Sequence, residues 1–563
     1  MDDNMTFRLA IVQMNPTAGD LEGNTSLVRE GIARATKAGA DLVVFPELAL
    51  SGYPPEDLLL RASFIGRCRE ALTALAMDTL GITAIVGAPV EVGGTLANAA
   101  VVLAGGKMAG MISKTELPNY GVFDEKRYFT SSGNGPLVKI GPAVIGVTIC
   151  EDIWLDNGIA DRQATDGANL LVNISGSPFR EGVLDFRRGL VSKITQRLSI
   201  PFVYCNMVGG QDELIFDGRS FAQDAEGVVT AMGAPFDEDF MILDFPSLID
   251  NGAPLRPVID ASGFGGPKPA QDEKPRRWIK EEAEEVYEAL TLGVRDYVAK
   301  NGFPGVVIGL SGGIDSALTC AIAVDALGPS RVMGVLMPSP YSSQGSLDDA
   351  SRLAENMGIR HATIPIGGVM ESFDMALNAV FVGMGRDVTE ENIQARIRGS
   401  LIMAISNKMG LLALTTGNKS ETAMGYCTLY GDMAGGLAVI KDLYKVKVYE
   451  LSRWRNRKAG HDLIPKESIE KEPSAELRPG QKDTDSLPPY TLLDPILKDY
   501  IEHDLNASQI AAKGRDRDLV LKILKTVDQN EYKRRQGPIG LKITAKAFGR
   551  DRRLPITCKY KEE

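Results

Sequence analysis

Histidine is nearly missing from this chain. Only three occur in 563 residues, at 361, 461 and 503, and the first 360 residues contain none. Nucleophilic chemistry in the front half must therefore run without a histidine base from the same chain. Cysteine is also sparse. The six cysteines, at 68, 150, 205, 320, 427 and 558, show no C-x-x-C spacing, which argues against a disulfide framework and against a zinc site. No apolar run is long enough to span a bilayer. The start, MDDNMTFRLAIVQMN, lacks the basic opening and apolar stretch of a signal peptide, so a cytoplasmic location without membrane contact is expected. A basic excess is missing too. The net charge of −11 disfavours a broad nucleic-acid surface and leaves room only for a local basic patch.

What is present is a soluble globular balance, 44% apolar and 24% charged, in a chain too long for one hydrophobic core. The Pro- and Gly-rich segment 251–277, NGAPLRPVIDASGFGGPKPAQDEKPRR, reads as a linker, dividing the chain into domains 1–250 and 278–563. The front half carries short β-branched runs at 9–12, 42–45, 82–86, 99–103, 144–149, 170–173 and 202–206. Several are continuous rather than alternating, as in strands covered on both faces. Helical stretches are expected at 24–38 and 185–197, and Gly105-Gly106 reads as a hairpin turn. In the rear half, strand 306–310, a Gly-rich turn, a helix through Leu318, Ala321, Ile322 and Val324, and strand 332–337 follow one another. That alternation predicts a parallel sheet with right-handed crossovers. The fold class is α/β throughout.

Three front-half residues stand at the ends of apolar runs: Glu47 after VVFP, Lys114 after MIS, and Cys150 after VIGVTI. A lone cysteine there reads more readily as a small core residue, and Glu47 or Lys114 reads as half of a structural ion pair. Together they supply a base, a cation and a thiol. An ionised carboxylate in apolar surroundings also needs a reason to be there.

The strings FPELALSGYPPED (45–57), SKTELPNYGVFDEKRYF (113–129) and ICEDIW (149–154) resemble the three signatures of the nitrilase, or carbon–nitrogen hydrolase, superfamily. That resemblance implies an α-β-β-α sandwich. It makes Glu47 the general base, Lys114 the stabiliser of a tetrahedral intermediate and Cys150 the nucleophile, its anion favoured by the nearby lysine. The backbone N–H near Glu151 would serve the oxyanion. Among glutamine-hydrolysing relatives, Tyr120 and Ser177 match positions that hold the substrate, with Glu151 beside them. The family often continues with Gly-Lys where this chain has Gly182-Val183, and Arg180 is the cation that stands in.

In the rear half, Gly309-Leu310-Ser311-Gly312-Gly313-Ile314-Asp315-Ser316 follows a strand and opens a helix. Adjacent glycines let backbone N–H groups approach phosphate oxygens, and the helix start adds partial positive charge. Asp315 suits magnesium. No lysine follows the glycines, so this is not a Walker A loop. The bland alternative is a Gly-rich turn with an N-cap.

The string resembles the SGGxDS motif of ATP pyrophosphatases, which implies a Rossmann-like parallel sheet and cleavage of ATP between its α and β phosphates. Further strings resemble NAD synthetases: TTGNKSE (415–421), YGDMAGG (430–436), ENIQARIRG (391–399), SAEL (474–477, in a mobile loop of that family) and KRR (533–535) before GPIGLKIT. The resemblance places Thr416 and Lys441 at ATP, Asn392, Asp432 and Lys533 at deamido-NAD, and Glu421 at the dinucleotide or sharing Mg2+ with Asp315. The bland alternative for the KRR run is a solvated basic tail or a nucleic-acid patch.

A nitrilase domain fused to this module resembles the glutamine-dependent NAD synthetases. The implied reaction takes deamido-NAD, ATP, glutamine and water through an NAD-adenylate to NAD, AMP, pyrophosphate and glutamate. The implied partners are small molecules only, on a homo-oligomer with an enclosed path for ammonia. Two rivals remain at this point: a tRNA-modifying pyrophosphatase, and an amidase whose rear half only binds nucleotide.

Overall fold

The computed structural model describes residues 6–560 apart from 132, 134, 247, 249–251, 253, 262–263 and 271–275. Residues 1–5 of the start, and residues 251, 253, 262, 263 and 271–275 of the expected linker, lie outside them. The chain separates into two compact units, Met1–Gln211 with Ile215–Ile279, and Asp212–Leu214 with Lys280–Glu563.

Among the described residues, the first unit holds two large sheets. One has the spatial order Asp239–Phe245, Phe7–Gln13, Leu42–Val44, Thr83–Val92, Thr95–Ala104, Lys107–Ser113. The other runs Val229–Met232, Phe221–Gln223, Phe202–Asn206, Leu170–Ser175, Ala143–Ile149, Leu137–Ile140, Val258–Asp260. The central strands are buried on both faces, and the two-residue period of a strand explains how. Leu9, Ile11 and Val44 face inward to meet Ile145, Val147, Ile149 and Val172 of the other sheet. Their neighbours Ala10, Val12 and Val43 turn outward to meet Val28 and Ile32 of the helix Leu21–Lys37, and Leu72 of the helix Ala62–Ala76. On the far side, Val144 and Leu171 meet Val191 and Ile194 of the helix Val183–Leu198. The result is the expected α-β-β-α sandwich. Truncating a residue such as Leu9 to alanine in this dry interior costs about 2–5 kcal/mol.

Differences of detail have local causes. The first helix starts at Leu21 rather than Asn24 because the Asp20 side chain accepts from the Gly23 N–H at 2.9 Å, capping it three residues earlier. Gly105 and Gly106 do form the hairpin turn, both at positive φ (57° and 76°) between antiparallel strands. The segment 251–277 is not structureless, because Val258–Asp260 pairs in parallel with Leu137–Lys139 and ends one sheet of the first unit.

The second unit is built on a five-stranded parallel sheet, in the order Arg360–Thr363, Val332–Leu336, Val306–Gly309, Leu412–Thr415, Leu437–Ala438. In chain order this is 3-2-1-4-5. The order reverses between Val306–Gly309 and Leu412–Thr415. Open α/β sheets bind ligands at the carboxyl ends of the strands at such a switch point. The Gly-rich loop follows the first of these strands and TTGNKSE follows the second, so the fold brings both motifs to one crevice. A separate apolar cluster (Leu493, Ile496, Leu497, Val520, Ile523, Leu524) holds the C-terminal helices together.

Candidate active sites

In the first unit Glu47, Lys114 and Cys150 each stand just beyond a strand, after Leu42–Val44, Lys107–Ser113 and Ala143–Ile149. Cys150 opens a single 3-10 turn, Cys150–Ile153, with φ at +46°. A non-glycine residue in that region is strained, and Leu48, next to Glu47, is strained likewise at +47°. Packing imposes the turn at Glu47 and Leu48. A side chain at Gly87 would stand 2.2 Å from the Pro46 carbonyl oxygen, so the neighbouring strand presses directly on the Glu47 turn.

The polar groups form a buried net, in which Asn98 Oδ1 and Glu125 Oε2 have no hydrogen-bond partner among the described residues. Glu47 is fully buried. Its Oε1 accepts from Asn98 Nδ2 at 2.7 Å and Lys114 Nζ at 2.7 Å, and its Oε2 from the Gly176 N–H at 2.8 Å. Lys114 donates a second bond, to Glu125 Oε1 at 2.8 Å, which also accepts from Tyr53 Oη at 3.2 Å. Two buried carboxyl groups therefore share one ammonium, and both cannot cheaply be ionised. Burial pushes Glu125 up to about 7, against the pull of Lys114 and with help from Glu47. Burial works against the Lys114 charge, but Glu125, Glu47 and Cys150 outweigh it and hold its pKa well above the ordinary lysine value. Burial and Glu47 push the Cys150 thiol well up, and Lys114 only partly opposes them. The lysine does pull toward the thiolate, as the sequence led one to expect, but burial and Glu47 outweigh it, so the thiol must hand over its proton as it attacks.

Sequence reasoning missed Glu125 and Asp152, although both lie inside the quoted strings. The signal for Glu125 was the single lysine beside a buried glutamate, an arrangement that invites a second acid. Asp152 is a brace. Its Oδ1 accepts from the N–H groups of Thr115 (2.9 Å) and Glu116 (2.7 Å), and its Oδ2 from Ile149 (3.0 Å). It thus ties the segment after Lys114 to the Cys150 turn.

Tyr120 is half exposed and donates to Glu151 Oε2 at 2.8 Å. Ser177 is buried and accepts from Arg187 through Oγ (3.2 Å) and its carbonyl (2.7 Å). Arg187, also overlooked, is buried and paired with Asp217 at 2.7 Å. Val183 is the buried first residue of its helix and offers no cation. The Arg180 guanidinium lies 5.6 Å over the Phe186 ring, and burial and Arg187 lower its pKa. Within the described residues, Arg180 makes no ion pair, so it is the uncommitted cation of this region.

In the second unit the Gly-rich loop folds on itself. Ser316 Oγ donates to the Gly313 carbonyl at 2.9 Å, and the Gly313 N–H donates to Ser311 Oγ at 3.2 Å. Gly312 has φ +77°, and a Cβ there would stand 2.2 Å from the Ser346 carbonyl oxygen, so only glycine fits. A cavity of about 470 Å³ opens beside the loop, lined by Gly309, Leu310, Ser311, Gly313, Ile314 and Asp315. Thr416, Glu421, Asn392, Asp432 and Lys533 complete the predicted residues on its wall. Gly312 and Ser316 belong to the loop but are not on the lining. Lys441 is not on the lining; its Nζ donates to the Pro538 carbonyl at 2.6 Å. Lys445 lines the cavity instead. It bridges Asp315 Oδ2 and Glu421 Oε1, the latter at 3.2 Å. Asn418 donates to Asp315 Oδ1 at 2.9 Å.

Burial pushes Glu421 up to about 8, opposed by Lys445 and reinforced by Asp315. Two carboxylates with hard oxygen donors, beside a phosphate-sized loop, fit Mg2+, which is usually held by one or two carboxylates plus substrate phosphates. Among the described residues no group of three or more His, Cys, Asp or Glu could hold a metal by itself, and no helix is long and apolar enough to cross a membrane.

Residues 8–250 match the family model for carbon-nitrogen hydrolases, and residues 286–537 the one for NAD synthases. The chain is 47% identical to a glutamine-dependent NAD(+) synthetase of Thermotoga maritima, across 99% of both chains. It is 44% identical to the one of Synechocystis sp., across 98% of this chain and 99% of that one. Among solved structures, the glutamine-dependent NAD+ synthetase of Acinetobacter baumannii in complex with ADP superposes with a TM-score of 0.77 at 41% identity, over 98% of each chain. The one from Cytophaga hutchinsonii, at 23% identity and TM-score 0.83 over 98% of each chain, shows the same fold. With relatives this similar over nearly its whole length, and a thiol site and a phosphate-loop cavity on one chain, the protein belongs to the family of glutamine-dependent NAD(+) synthetases.

Proposed function

We propose that this enzyme converts deamido-NAD to NAD with ATP and with ammonia taken from glutamine. The observation that carries the reading is the pairing, on one chain, of a buried carboxylate–lysine net beside a thiol with an open cavity beside a phosphate loop.

In the first unit, Cys150 Sγ attacks the glutamine amide carbon while Glu47 takes the thiol proton. Lys114 and the N–H at Glu151 meet the developing oxyanion. Glu47 passes the proton to the departing ammonia, and a thioester remains. Water, deprotonated by Glu47, then releases glutamate and restores the thiol. Tyr120, Glu151, Ser177 and Arg180 hold the amino acid, with Arg180 facing its carboxylate and Arg187 fixing Ser177.

In the second unit, the N–H groups of Ser311–Gly313 and the start of the helix Ile314–Leu327 cradle ATP phosphates. Thr416 contacts ATP. Asn392, Asp432 and Lys533 orient deamido-NAD. The nicotinate carboxylate attacks the α-phosphorus, pyrophosphate leaves, and ammonia displaces AMP from the acyl carbon. Asp315 and Glu421 would hold Mg2+, which when bound neutralises phosphate charge. Lys445, poised between the two carboxylates, balances their charge until the nucleotide arrives. The reading includes a homo-oligomer working in the cytoplasm, the former checked by sedimentation.

The test is pyrophosphate release from ATP with and without deamido-NAD. Release that requires the dinucleotide is expected. Release that ignores it, or phosphate with ADP in its place, would overturn the proposal.

A further inference from the structure

Among the described residues four cations line the second-unit cavity: Lys445, Lys471, Lys533 and Arg398. Three are already engaged. Lys445 joins Asp315 and Glu421. Lys471 joins Glu476 at 3.1 Å. Lys533 gives two N–H donors to the carbonyls of Gly425 and Cys427, at 2.7 and 2.9 Å. Arg398 differs. Its Nε donates to the Met337 carbonyl at 3.0 Å, and its two terminal amino groups make no hydrogen bond within the described protein. No carboxylate of the described residues stands within ion-pair distance. Burial brings the guanidinium down to about 10, and Glu476 is the only charge that pulls the other way. A partly desolvated cation that keeps its fork free on a cavity wall is costly unless something anionic arrives to meet it.

Its position says which part of a ligand it meets. Arg398 lies on the helix Val388–Met409, about one turn before Ile402. Met337 follows the strand Val332–Leu336. A side chain built at Gly309 would meet Met337 Cε at 3.3 Å and Ile402 Cδ1 at 4.0 Å. Gly309 is where the phosphate loop begins. The guanidinium is therefore tied to a carbonyl at the sheet's carboxyl edge, on the wall of the cavity that Ser311 and Gly313 also line. A planar fork with free terminal N–H groups matches phosphate oxygens two at a time.

We propose that Arg398 binds phosphate oxygens of ATP, closing from the helix side the anion site that the Gly-rich loop opens. This rests on the ATP reading above. Held by Met337, the fork is oriented before the nucleotide arrives, so little freedom is lost on binding.

Deamido-NAD also carries phosphates, so the experiment separates the two sources. Equilibrium binding of ATP, inorganic pyrophosphate, adenosine and deamido-NAD is measured by calorimetry on the full-length enzyme and on Arg398→Gln and Arg398→Lys. For Arg398→Gln, the Kd for ATP and for pyrophosphate should rise roughly tenfold to a hundredfold, the scale of a lost charged hydrogen-bond pair. Adenosine and deamido-NAD should bind as before. Arg398→Lys keeps the charge and loses the fork, so a smaller loss, about three- to tenfold, should fall on the same two ligands. If the glutamine variant does not fold, the lysine variant carries the test. An equal loss for adenosine would show that the side chain merely holds the Met337 carbonyl. A loss confined to deamido-NAD would assign the fork to the dinucleotide, and unchanged binding of every ligand would remove the role altogether; each result overturns the proposal. A wild-type enzyme that binds no ATP would instead defeat the ATP reading itself.

Discussion

The two sites on this chain keep their charges in opposite states. In the first unit, Glu47, Lys114, Glu125, Asn98 and Tyr53 bond to one another in a buried net that leaves only Asn98 Oδ1 and Glu125 Oε2 of these side chains unpartnered among the described residues, and the reacting thiol stands beside it. In the second unit the loop, the Asp315–Lys445–Glu421 bridge and Arg398 surround a cavity of about 470 Å³, with part of their bonding capacity unspent. In the proposed mechanism the first site takes its nucleophile, base and cation from its own side chains. The second supplies geometry, and its reactive charges arrive with the nucleotide. The first should therefore be intolerant of any change to the net, and the second should be tuned by changes that alter substrate binding.

The sharpest break between them is Cys150→Ala. Glutamine-supported NAD formation should fall about a thousandfold or more, because the nucleophile is gone. Formation from high ammonium should stay within about twofold of wild type. Loss of both activities in a folded protein would join what the comparison separates. The converse break is Asp315→Asn, which keeps size and removes charge. AMP formation should drop about a hundredfold, the scale of one lost electrostatic stabiliser, while basal glutamine hydrolysis, followed as glutamate, persists.

Two substitutions probe the scaffolds. Arg187→Leu takes the 2.7 Å partner from buried Asp217 and leaves it only the longer pair with Arg219 at 3.6 Å, so chemical denaturation should show a loss of up to about 3–5 kcal/mol in the first unit. Gly312→Ala places a Cβ against the Ser346 carbonyl at positive φ. It should cost about 1–3 kcal/mol, read as weaker ATP binding with glutamine hydrolysis unchanged.

The smallest effect is a pH slope. Glu125 is raised from an ordinary 4.5 to about 7, so the fold prefers its protonated form. The stability that this group contributes is fully present below pH 4.5 and is lost as pH rises through 7. The melting temperature of the first unit should fall over that window, and Glu125→Gln should flatten part of the slope. An unchanged slope would mean that another group carries the proton.

How much of this was legible in the sequence depends on whether the signal was local. The strand runs and the strand-end placement of Glu47, Lys114 and Cys150 followed from apolar patterning alone, and so did the parallel sheet with its loop. The roles assigned to those residues came from motif resemblance. The partners that complete each net were less visible. Glu125 and Asp152 look like ordinary loop acids until folding buries them. Lys445 stands 130 residues from Asp315, a separation that no local pattern reports. Lys441, chosen from its motif, points to the Pro538 carbonyl, while a lysine four residues further on faces the cavity. The strand Val258–Asp260 escaped notice because three residues amid prolines and glycines carry too little periodicity to register.

The central claim is that nitrogen freed at the thiol site becomes the amide made in the second unit. Glutamine labelled with 15N at its amide is supplied with ATP and deamido-NAD, in the presence of a tenfold excess of unlabelled ammonium held below the level that supports synthesis by itself. The account predicts NAD labelled at its carboxamide, with one AMP, one pyrophosphate and one glutamate per NAD. NAD carrying mainly unlabelled nitrogen, or NAD formed without matching AMP, would contradict it.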